Sequence, residues 1–195
     1  MKESLRPGGR SARIQASVHQ AVRELLATVD RSALTLPLIA ARAGVTPSTL
    51  YRRWGDLAGL LADVAVDRLR PDGEPPDTGS LRADLEAWLE QYIDELTSVP
   101  GRAMIRDVLA CPGDSHSAGQ CAAFVRQQLQ VISDRARNRG EAPLDLDLAL
   151  DHVIAPVMYR ILYHQLPPDP TYWRGLIDRL LQGGTAASPV EGHGP

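Results

Sequence analysis

Apolar residues recur along the chain at spacings of three and four, and clusters of Pro and Gly separate the segments that carry this pattern. The spacing predicts an all-α protein of about nine helices, with no alternating strand pattern of useful length. Two short helices are predicted within residues 35–54. The longer helices are predicted at about 11–29, 57–70, 79–98, 100–111, 118–139, 145–166 and 170–182.

Residues 35–54 predict two short helices joined by a tight turn. Thr35 can cap the first helix, because its hydroxyl can accept an otherwise unpaired backbone N–H. Gly44 can adopt the left-handed conformation that ends a helix. Thr46 can cap the second helix, and Pro47 suits its first position because the missing N–H is not needed there. This order of signals predicts a helix-turn-helix.

The second short helix has two chemically different faces. At about 100° per residue, Pro47, Leu50 and Trp54 share one stripe, which we expect to face the interior. The opposite face carries hydroxyl, phenol and guanidinium groups, which bond phosphate oxygens and base edges of duplex DNA. Its members are Ser48, Thr49, Tyr51 and Arg52, with Arg53 nearer the buried stripe. An ordinary polar surface helix is the alternative, but the two caps, the Gly turn and this face together favour DNA binding.

The stretch IAARAGVTPSTLYRRWGDLAGLLADV resembles the DNA-binding signature of the TetR family of bacterial transcriptional repressors. The resemblance covers the N-terminal ~70 residues closely and the remainder more loosely. It implies a three-helix DNA-binding domain with a basic arm over residues 1–56. A helical ligand-binding and dimerisation domain would follow over 57–182, and the apolar-poor segment 183–195 is expected to be a disordered tail.

The resemblance also implies roles for single residues. By position, Thr35, Thr49 and Tyr51 match phosphate contacts of the family. Base or backbone contacts are implied for Thr46, Pro47, Ser48 and Arg52. The family usually has a phosphate-binding Lys at the start of its fourth helix, where this chain has Leu57 after Asp56. Asp56 is a suitable helix cap, but the cation is missing.

The charge is divided unequally along the chain. The first 60 residues hold nine Lys and Arg against four Asp and Glu, a net charge of +5, which leaves −8 for the rest of a chain of formal net charge −3. A basic head on an acidic body is typical of a DNA-binding protein. Arg6 and Arg10 in the N-terminal arm are candidates for phosphate or minor-groove contacts; a merely disordered terminus is the alternative.

Residues 145–166 are apolar on almost every side, so a covering surface is needed all round. The resemblance implies that the last two helices of each subunit form a four-helix dimer interface, here over 145–182. A two-fold dimer also suits a palindromic operator. The alternative is that these faces fill only the core of one chain. Pro156 is expected to kink the helix.

By the same resemblance, a pocket for a small effector is expected among the middle helices. An apolar cavity with a few polar groups would favour a hydrophobic or aromatic molecule. The alternative for each of these residues is a plain core position. The candidate lining residues are Trp88, Tyr92, Met104, Phe124, Tyr159 and Tyr163.

Other chemistries have weaker support. Cys111, His116 and Cys121 match no compact zinc spacing, so two incidental thiols are favoured over a redox or metal sensor. No catalytic set, metal site or cofactor motif is indicated, and an enzyme is not expected. With no run of ~18 uncharged apolar residues and no signal-peptide core, we expect a cytoplasmic protein.

The sequence thus predicts a homodimeric, ligand-responsive transcriptional repressor that a small hydrophobic molecule releases from a palindromic DNA operator. Two alternatives stay open at this point. The first is a constitutive DNA-binding regulator without an effector. The second is a thiol-based redox or metal sensor.

Overall fold

The computed structural model describes residues 9–111, 115–164 and 166–183. Within these ranges the fold is all helical, as the apolar spacing predicts. A 3-10 turn at Arg31–Ala33 precedes the second helix, and a π-helical turn at Leu150–Ile154 joins the eighth to the ninth. The helices are α1 (Gly9–Leu26), α2 (Leu36–Ala43), α3 (Pro47–Trp54), α4 (Leu57–Leu69), α5 (Leu81–Thr97), α6 (Val99–Leu109), α7 (Ser115–Asn138), α8 (Leu146–Ala149), α9 (Ala155–Tyr163) and α10 (Pro170–Gly183).

The helices pack as two compact units. Of the described residues, unit 1 contains those up to Leu69 together with those between Arg106 and Ala118, and unit 2 contains Arg70–Ile105 and those from Gly119 onward. None of the helices in the described ranges is long and apolar enough to cross a membrane.

The core of unit 1 is formed by one face of each of the helices α1, α2, α3 and α4. Val18 and Val22 of α1, Ile39 of α2, Leu50 of α3 and Leu60 of α4 have no exposed surface. Burying an aliphatic side chain of this size contributes about 1.5–3 kcal/mol. The short helices α2 and α3 are therefore held by packing more than by their own helix propensity.

The domain boundary that the sequence predicts after residue 56 does not coincide with a boundary in packing. Helix α4 begins at Leu57, and its Leu60, Leu61 and Val64 lie in the same core as α1, α2 and α3. The apolar face of α4 explains the difference, since α1, α2 and α3 are needed to cover it. Of the predicted tail 183–195, only Gly183 lies within the described residues, at the end of α10.

The core of unit 2 is formed mainly by α5, α7, α9 and α10. Its most buried apolar side chains are mostly aliphatic, and each of those named next is at most 2% exposed. These side chains are Leu89, Leu129, Ile132, Val157, Ile161, Trp173 and Ile177.

A buried carboxylate ties the segment before α5 to the end of α7. Asp84 has no exposed surface, and its Oδ1 accepts bonds from the backbone N–H and the hydroxyl of Thr78 at 2.6 and 2.7 Å. Arg139 Nη2 donates to Asp84 Oδ2 at 2.8 Å, and Arg139 Nε donates to Glu141 at 2.7 Å. Burial opposes ionisation, but the bonds from Thr78 and Arg139 outweigh it and lower the pKa of Asp84. Because all these partners belong to unit 2, the network fixes the segment before α5 to that unit.

Helices α8 and α9 and the turn between them form one continuous helical stretch, with right-handed helical backbone at Leu150 and Ala155. The Ala155 N–H bonds the carbonyl of Leu150, five residues earlier, which is the π-helical pattern. The structure therefore has a widened turn immediately before Pro156, where the sequence predicts a kink. The physical reason is that proline cannot make the usual bond to the carbonyl four residues back and its ring clashes with it.

Candidate nucleic-acid interface

The turn between α2 and α3 has the local geometry that the sequence predicts. Thr35 Oγ1 accepts the Leu38 N–H at 3.3 Å and so caps α2. Gly44 has φ 68°, in the left-handed region, and its N–H bonds the carbonyls at the end of α2. Val45 follows and packs partly buried against the unit 1 core. The chain therefore turns sharply between α2 and α3, and the left-handed conformation falls on a glycine, which has no side chain.

The two ends of α3 differ in burial. Leu50 is fully buried and Trp54 is partly buried against the core, as expected. Pro47, however, is exposed, and the expectation that it faces the interior is wrong. Thr46 and Ser48 are exposed too, so the first turn of α3 lies clear of the core and angular position does not decide burial there.

The Thr46 side chain does not cap α3, which corrects a second expectation. Its backbone has the extended geometry of a cap residue, but its hydroxyl pairs with the hydroxyls of Ser48 and Thr49, each at 3.0 Å. Three hydroxyl groups therefore cluster at the N-terminus of the helix. Because the first N–H groups of a helix lack partners within it, this end is suited to bind an anion.

The outer face of α3 presents its polar groups to solvent. Ser48 and Arg52 are exposed, and Tyr51 is 53% exposed. Arg53 differs, because its Nη1 donates to the Ser11 carbonyl at 2.9 Å and its guanidinium lies 4.9 Å from the Trp54 ring centroid. Arg53 is thus directed toward α1 and braces the inner side of α3.

A polar network beneath α3 is not predicted by the sequence pattern. His19 of α1 is only 2% exposed, and its Nε2 and Nδ1 lie 2.8 and 3.3 Å from carboxylate oxygens of Asp63 and Asp67 on α4. Trp54 Nε1 donates to the same Asp63 oxygen at 2.7 Å, and Gln15 Nε2 donates to it at 3.2 Å. The available signal was two polar pairs, each four residues apart: Gln15 and His19 on α1, and Asp63 and Asp67 on α4.

This network changes the pKa values of both His19 and Asp63. Burial lowers the pKa of His19, but the hydrogen bonds and charges of Asp63 and Asp67 outweigh it and raise that pKa above its usual value. Burial raises the pKa of Asp63, but bonds from His19 and Trp54 outweigh it and lower that pKa. The structure therefore favours a positive ring between two negative carboxylates.

The comparison with protein families decides the identity of this architecture. The model described as bacterial regulatory proteins of the tetR family matches residues 20–64. The model described as the tetracyclin repressor-like C-terminal domain matches residues 75–180, more than half of the chain. The chain belongs to the TetR family. It is a DNA-binding transcriptional regulator and not an enzyme.

Relatives and solved structures agree with this assignment. The HTH-type transcriptional regulator YdeS of Bacillus subtilis (strain 168) is 28% identical over 185 residues, which cover 90% of this chain and 91% of YdeS. The DNA-binding transcriptional repressor TetR of Mycobacteroides abscessus is 31% identical over 164 residues, covering 73% of this chain and 78% of that protein. The crystal structure of the TetR family transcription regulator SCO0332 aligns with TM-score 0.64 and 28% identity, covering 88% of this chain and 98% of that chain.

The start of α4 departs from the TetR signature in a defined way. Asp56 Oδ1 accepts the Gly59 N–H at 2.8 Å and so caps α4, as predicted. Leu57, which stands where the family usually has Lys, packs partly buried against the unit 1 core. A Cβ at Gly59 would lie 2.4 Å from the Trp54 carbonyl oxygen, so α3 and α4 approach closely here. This regulator therefore gains an apolar contact at the position of the usual cation.

Basic groups also lie beside the helix-turn-helix. Arg10 and Arg13 of α1 border a surface groove whose other walls include Ser17 and Val45. Arg13 Nε donates to the Gly9 carbonyl at 3.0 Å. Of the predicted N-terminal arm, Arg10 lies in the first turn of α1, and Arg6 lies outside the described residues.

Two of the predicted pocket residues lie together inside unit 2. The Trp88 and Tyr92 rings stack at 5.2 Å with an interplanar angle of 18°, and Tyr92 Oη donates to Met158 Sδ at 3.2 Å. Burial raises the pKa of Tyr92, so its phenol stays a hydrogen-bond donor. The apolar cavity beside Trp88 has a volume of about 10 Å³, which is the space of a single water molecule. An effector does not fit this cavity as it stands.

The structure places two of the other predicted pocket residues on the surface. Tyr159 and Tyr163 are 59% and 73% exposed and lie against each other on the outside of α9, with ring centroids 4.9 Å apart. The prediction that they line an interior pocket is therefore corrected, because the inner face of α9 is filled by aliphatic side chains. Met104 and Phe124 are half-buried, and the Arg70 guanidinium lies 5.7 Å from the Phe124 ring centroid.

The two cysteines are thiols in this structure, and both are half-buried. Cys111 belongs to unit 1 and Cys121 to unit 2. Burial raises the pKa of Cys121, which lowers its thiolate fraction and hence its reactivity. Residues 112–114 of the segment between them lie outside the described residues.

Proposed function

We propose that this TetR-family regulator is a homodimeric repressor that leaves a palindromic operator when a small hydrophobic molecule binds unit 2. The observation that carries the DNA-binding part is the exposed face of α3, with Ser48, Tyr51 and Arg52 turned to solvent and Leu50 anchored in the core. A helix whose inner face is anchored in the core and whose outer face is polar is suited to bind in the major groove of DNA. A repressor acts on chromosomal DNA, so we place this protein in the cytoplasm.

We assign the individual contacts from chemistry and exposure. Arg52 can donate two bonds to the O6 and N7 atoms of guanine, the commonest specific contact of arginine in the major groove. Thr46, Pro47 and Ser48 lie at the end of α3 that would enter the groove first. Thr35, Thr49 and Tyr51 carry hydroxyl groups suited to phosphate oxygens. Arg53 acts indirectly, through its contacts with Ser11 and Trp54.

An exposed apolar strip on unit 2 supports the homodimer. It consists of large side chains on or just after the α8–α9 stretch, and a monomer would leave them in water. The Tyr159 and Tyr163 rings lie against each other on this surface, and exposed apolar patches mark interaction sites. The residues of this strip are Leu148, Tyr159, Leu162, Tyr163 and Leu166. We therefore assign the dimer interface to residues 145–182, with two recognition helices roughly 34–36 Å apart.

Effector binding would require unit 2 to open. The Trp88–Tyr92 stack and Met158 offer aromatic and polarizable surface, but the adjoining cavity holds about 10 Å³. A ligand would therefore select an expanded state of unit 2, and it would release DNA only to the extent that it prefers that state. A hydrophobic or aromatic molecule best matches this surface.

The DNA-reading role is tested by replacing Arg52. Operator fragments are first selected from genomic DNA with the wild-type protein, and affinity is then measured by fluorescence anisotropy on operator and on random DNA. Arg52→Ala should weaken operator binding by about 1–3 kcal/mol and random DNA much less. Arg137→Ala, an equal charge change on the exposed side of α7, is the control and should leave both affinities unchanged. Full operator affinity in Arg52→Ala would contradict the proposal.

A constitutive regulator without effector is the second candidate, and the filled interior beside Trp88 favours it. A thermal-shift screen with hydrophobic and aromatic compounds separates the two. If a compound raises the melting temperature and releases operator DNA, the effector model holds. If no compound does either, the constitutive reading replaces it.

A further inference from the structure

His19 lies almost fully buried between two carboxylates, and the geometry indicates which protonation state fits. Its Nε2 lies 2.8 Å from Asp63 Oδ2, and its Nδ1 lies 3.3 Å from Asp67 Oδ2. An ionised carboxylate only accepts hydrogen bonds, so each ring nitrogen needs a proton to bond its partner. Only the imidazolium carries both protons. A neutral ring would turn a lone pair toward one of the two carboxylates.

Asp63 extends this contact to the recognition helix. The oxygen that faces His19 also accepts the indole N–H of Trp54 at 2.7 Å. Trp54 is the last residue of α3, two residues after Arg52, and its ring also packs beside His19 with centroids 6.4 Å apart. The rotation of α3 about its own axis is therefore tied to the positions of His19 on α1 and Asp63 on α4.

We propose that protonated His19 is a positioning residue for DNA recognition. It holds Asp63 against the Trp54 indole, which sets the orientation of α3, and operator binding weakens when His19 loses its proton. The inference rests on the proposed DNA-reading role of α3. The contact between His19, Asp63 and Trp54 can nevertheless be tested without DNA.

The charged groups around His19 explain why the proton matters. On α1, Arg23 lies 3.8 Å from Asp67, and from α3 the Arg53 guanidinium lies over the Trp54 ring. Gln15 also donates to Asp63. Once His19 is neutral, Asp63 loses its cationic partner. The ring then keeps one proton, so either the bond to Asp63 becomes a neutral one while a lone pair faces Asp67, or a lone pair faces Asp63 itself. The contact between α1 and α4 is then weaker.

Other titratable groups of unit 1 border the same region. Asp63 and Trp54 line a surface cleft together with Asp56, Cys111 and His116. His116 is therefore the other histidine beside this contact, and its effect must be separated from that of His19. Substitution of each histidine in turn achieves this.

The pH range follows from the sign of the ionisation shift. The pKa of His19 is raised above 6.5, because Asp63 and Asp67 outweigh the effect of burial. The contribution of the charged ring to folding is therefore complete below the unfolded pKa of about 6.5 and is lost as the pH rises through the folded pKa. DNA recognition should follow the same curve, with stronger binding below pH 6.5 and weaker binding once the pH has passed the folded pKa of His19.

The first experiment uses the wild-type protein without DNA. The side-chain resonances of Trp54 Nε1–H and His19 Cε1–H are followed by NMR across the neutral range, with Trp54→Phe identifying the indole signal among the three tryptophans. We expect both signals to shift with one midpoint above pH 6.5, and the indole shift to vanish in His19→Gln. An indole signal that ignores His19 titration would overturn the proposed contact, whatever the protein binds.

The second experiment measures operator affinity against pH. Wild type and His116→Gln should lose about tenfold in affinity, equivalent to about 1.4 kcal/mol, as His19 deprotonates. His19→Gln and Trp54→Phe should bind with little pH dependence, and circular dichroism confirms that each is folded. If the NMR shifts agree but wild type and His19→Gln share one affinity profile, the positioning role is overturned. If folded wild type binds no DNA at any pH, the proposed DNA-reading role fails instead.

Discussion

At the scale of single residues, Asp84 is the clearest example of a charge that unit 2 buries and fully partners. Its carboxylate receives two bonds from Thr78 and one from Arg139, so ionisation is favoured despite complete burial. An unpaired charge in such a place would cost several kcal/mol. The network therefore holds the segment before α5 in place.

Replacing Asp84 should show how much this network contributes to stability. Asp84→Asn keeps the shape but removes the charge, and we expect the free energy of unfolding at neutral pH to fall by about 1–3 kcal/mol. Urea denaturation followed by circular dichroism measures the change. Asp134→Asn, which alters an exposed pair on α7, should change little.

The same variant gives a pH test with a definite sign. The pKa of Asp84 is lowered below its ordinary value of 3.8. Its stabilising contribution is therefore present above that value and is lost as the pH falls through the folded pKa. Wild type and Asp84→Asn should differ at pH 7 and converge in acid. A difference that persists undiminished in acid would mean that packing, and not charge, carries the effect.

Local signals predicted some residues well and others poorly. Thr35 and Gly44 were predicted correctly because a cap and a left-handed turn depend on near neighbours alone. Thr46 was not, since its hydroxyl pairs with the hydroxyls of Ser48 and Thr49 and not with a backbone N–H. The partners of His19 lie more than forty residues away, so no local pattern could name them.

At the scale of helices, the corner between α5 and α6 is closely packed. A Cβ at Gly101, inside α6, would lie 2.0 Å from the Glu95 carbonyl oxygen, which is backbone and cannot turn aside. Gly119, inside α7, has no atom within 4 Å of the same position. Two helical glycines of the same chain are thus opposite in what they tolerate.

These two glycines provide a matched pair of variants. Gly101→Ala should lower the free energy of unfolding by about 1–3 kcal/mol, because the corner must open. Gly119→Ala should raise it by about 0.5–1 kcal/mol through better helix propensity. Chemical denaturation monitored by circular dichroism measures both. Two changes of the same sign would contradict this account.

The helices themselves were predictable from the 3.6-residue period, but their surroundings were not. The pattern predicts α4 correctly, yet it does not reveal that Leu60 and Val64 share a core with α1. Pro156 signals a disturbed helix, yet the response, a π-helical turn, depends on packing before and after the proline. The spacing of apolar residues shows which face of a helix is apolar, but it does not show which residues cover that face.

At the scale of the whole molecule, the same limit applies to the predicted dimer. Residues 145–166 are apolar all round, but unit 2 covers the side with Val153, Val157 and Ile161 and leaves Tyr159 and Tyr163 exposed. The sequence could not divide this surface between the chain's own core and a partner. The structure shows which side of this stretch is covered by the chain's own core, and it thereby limits the proposed interface to the exposed strip.

Charge placed in that strip should separate the subunits. Tyr163→Glu is expected to raise the dimer dissociation constant at least about tenfold, because an unpaired carboxylate would be buried between subunits. Sedimentation equilibrium measures the change, and operator affinity should fall in parallel. Val99→Glu provides the control, since Val99 is 86% exposed outside the strip. A Tyr163→Glu protein that associates like wild type would place the interface elsewhere.

The π-helical turn at Leu150–Ile154 also constrains how the length of this helix can vary. A π turn takes up one residue beyond an α-helical turn while the flanking segments keep their phase. A deletion of one residue inside the turn can therefore be absorbed as regular α-helix. The same deletion within α9 would rotate all later side chains by about 100° and carry Tyr163 away from the strip. Natural length differences should therefore concentrate in this turn.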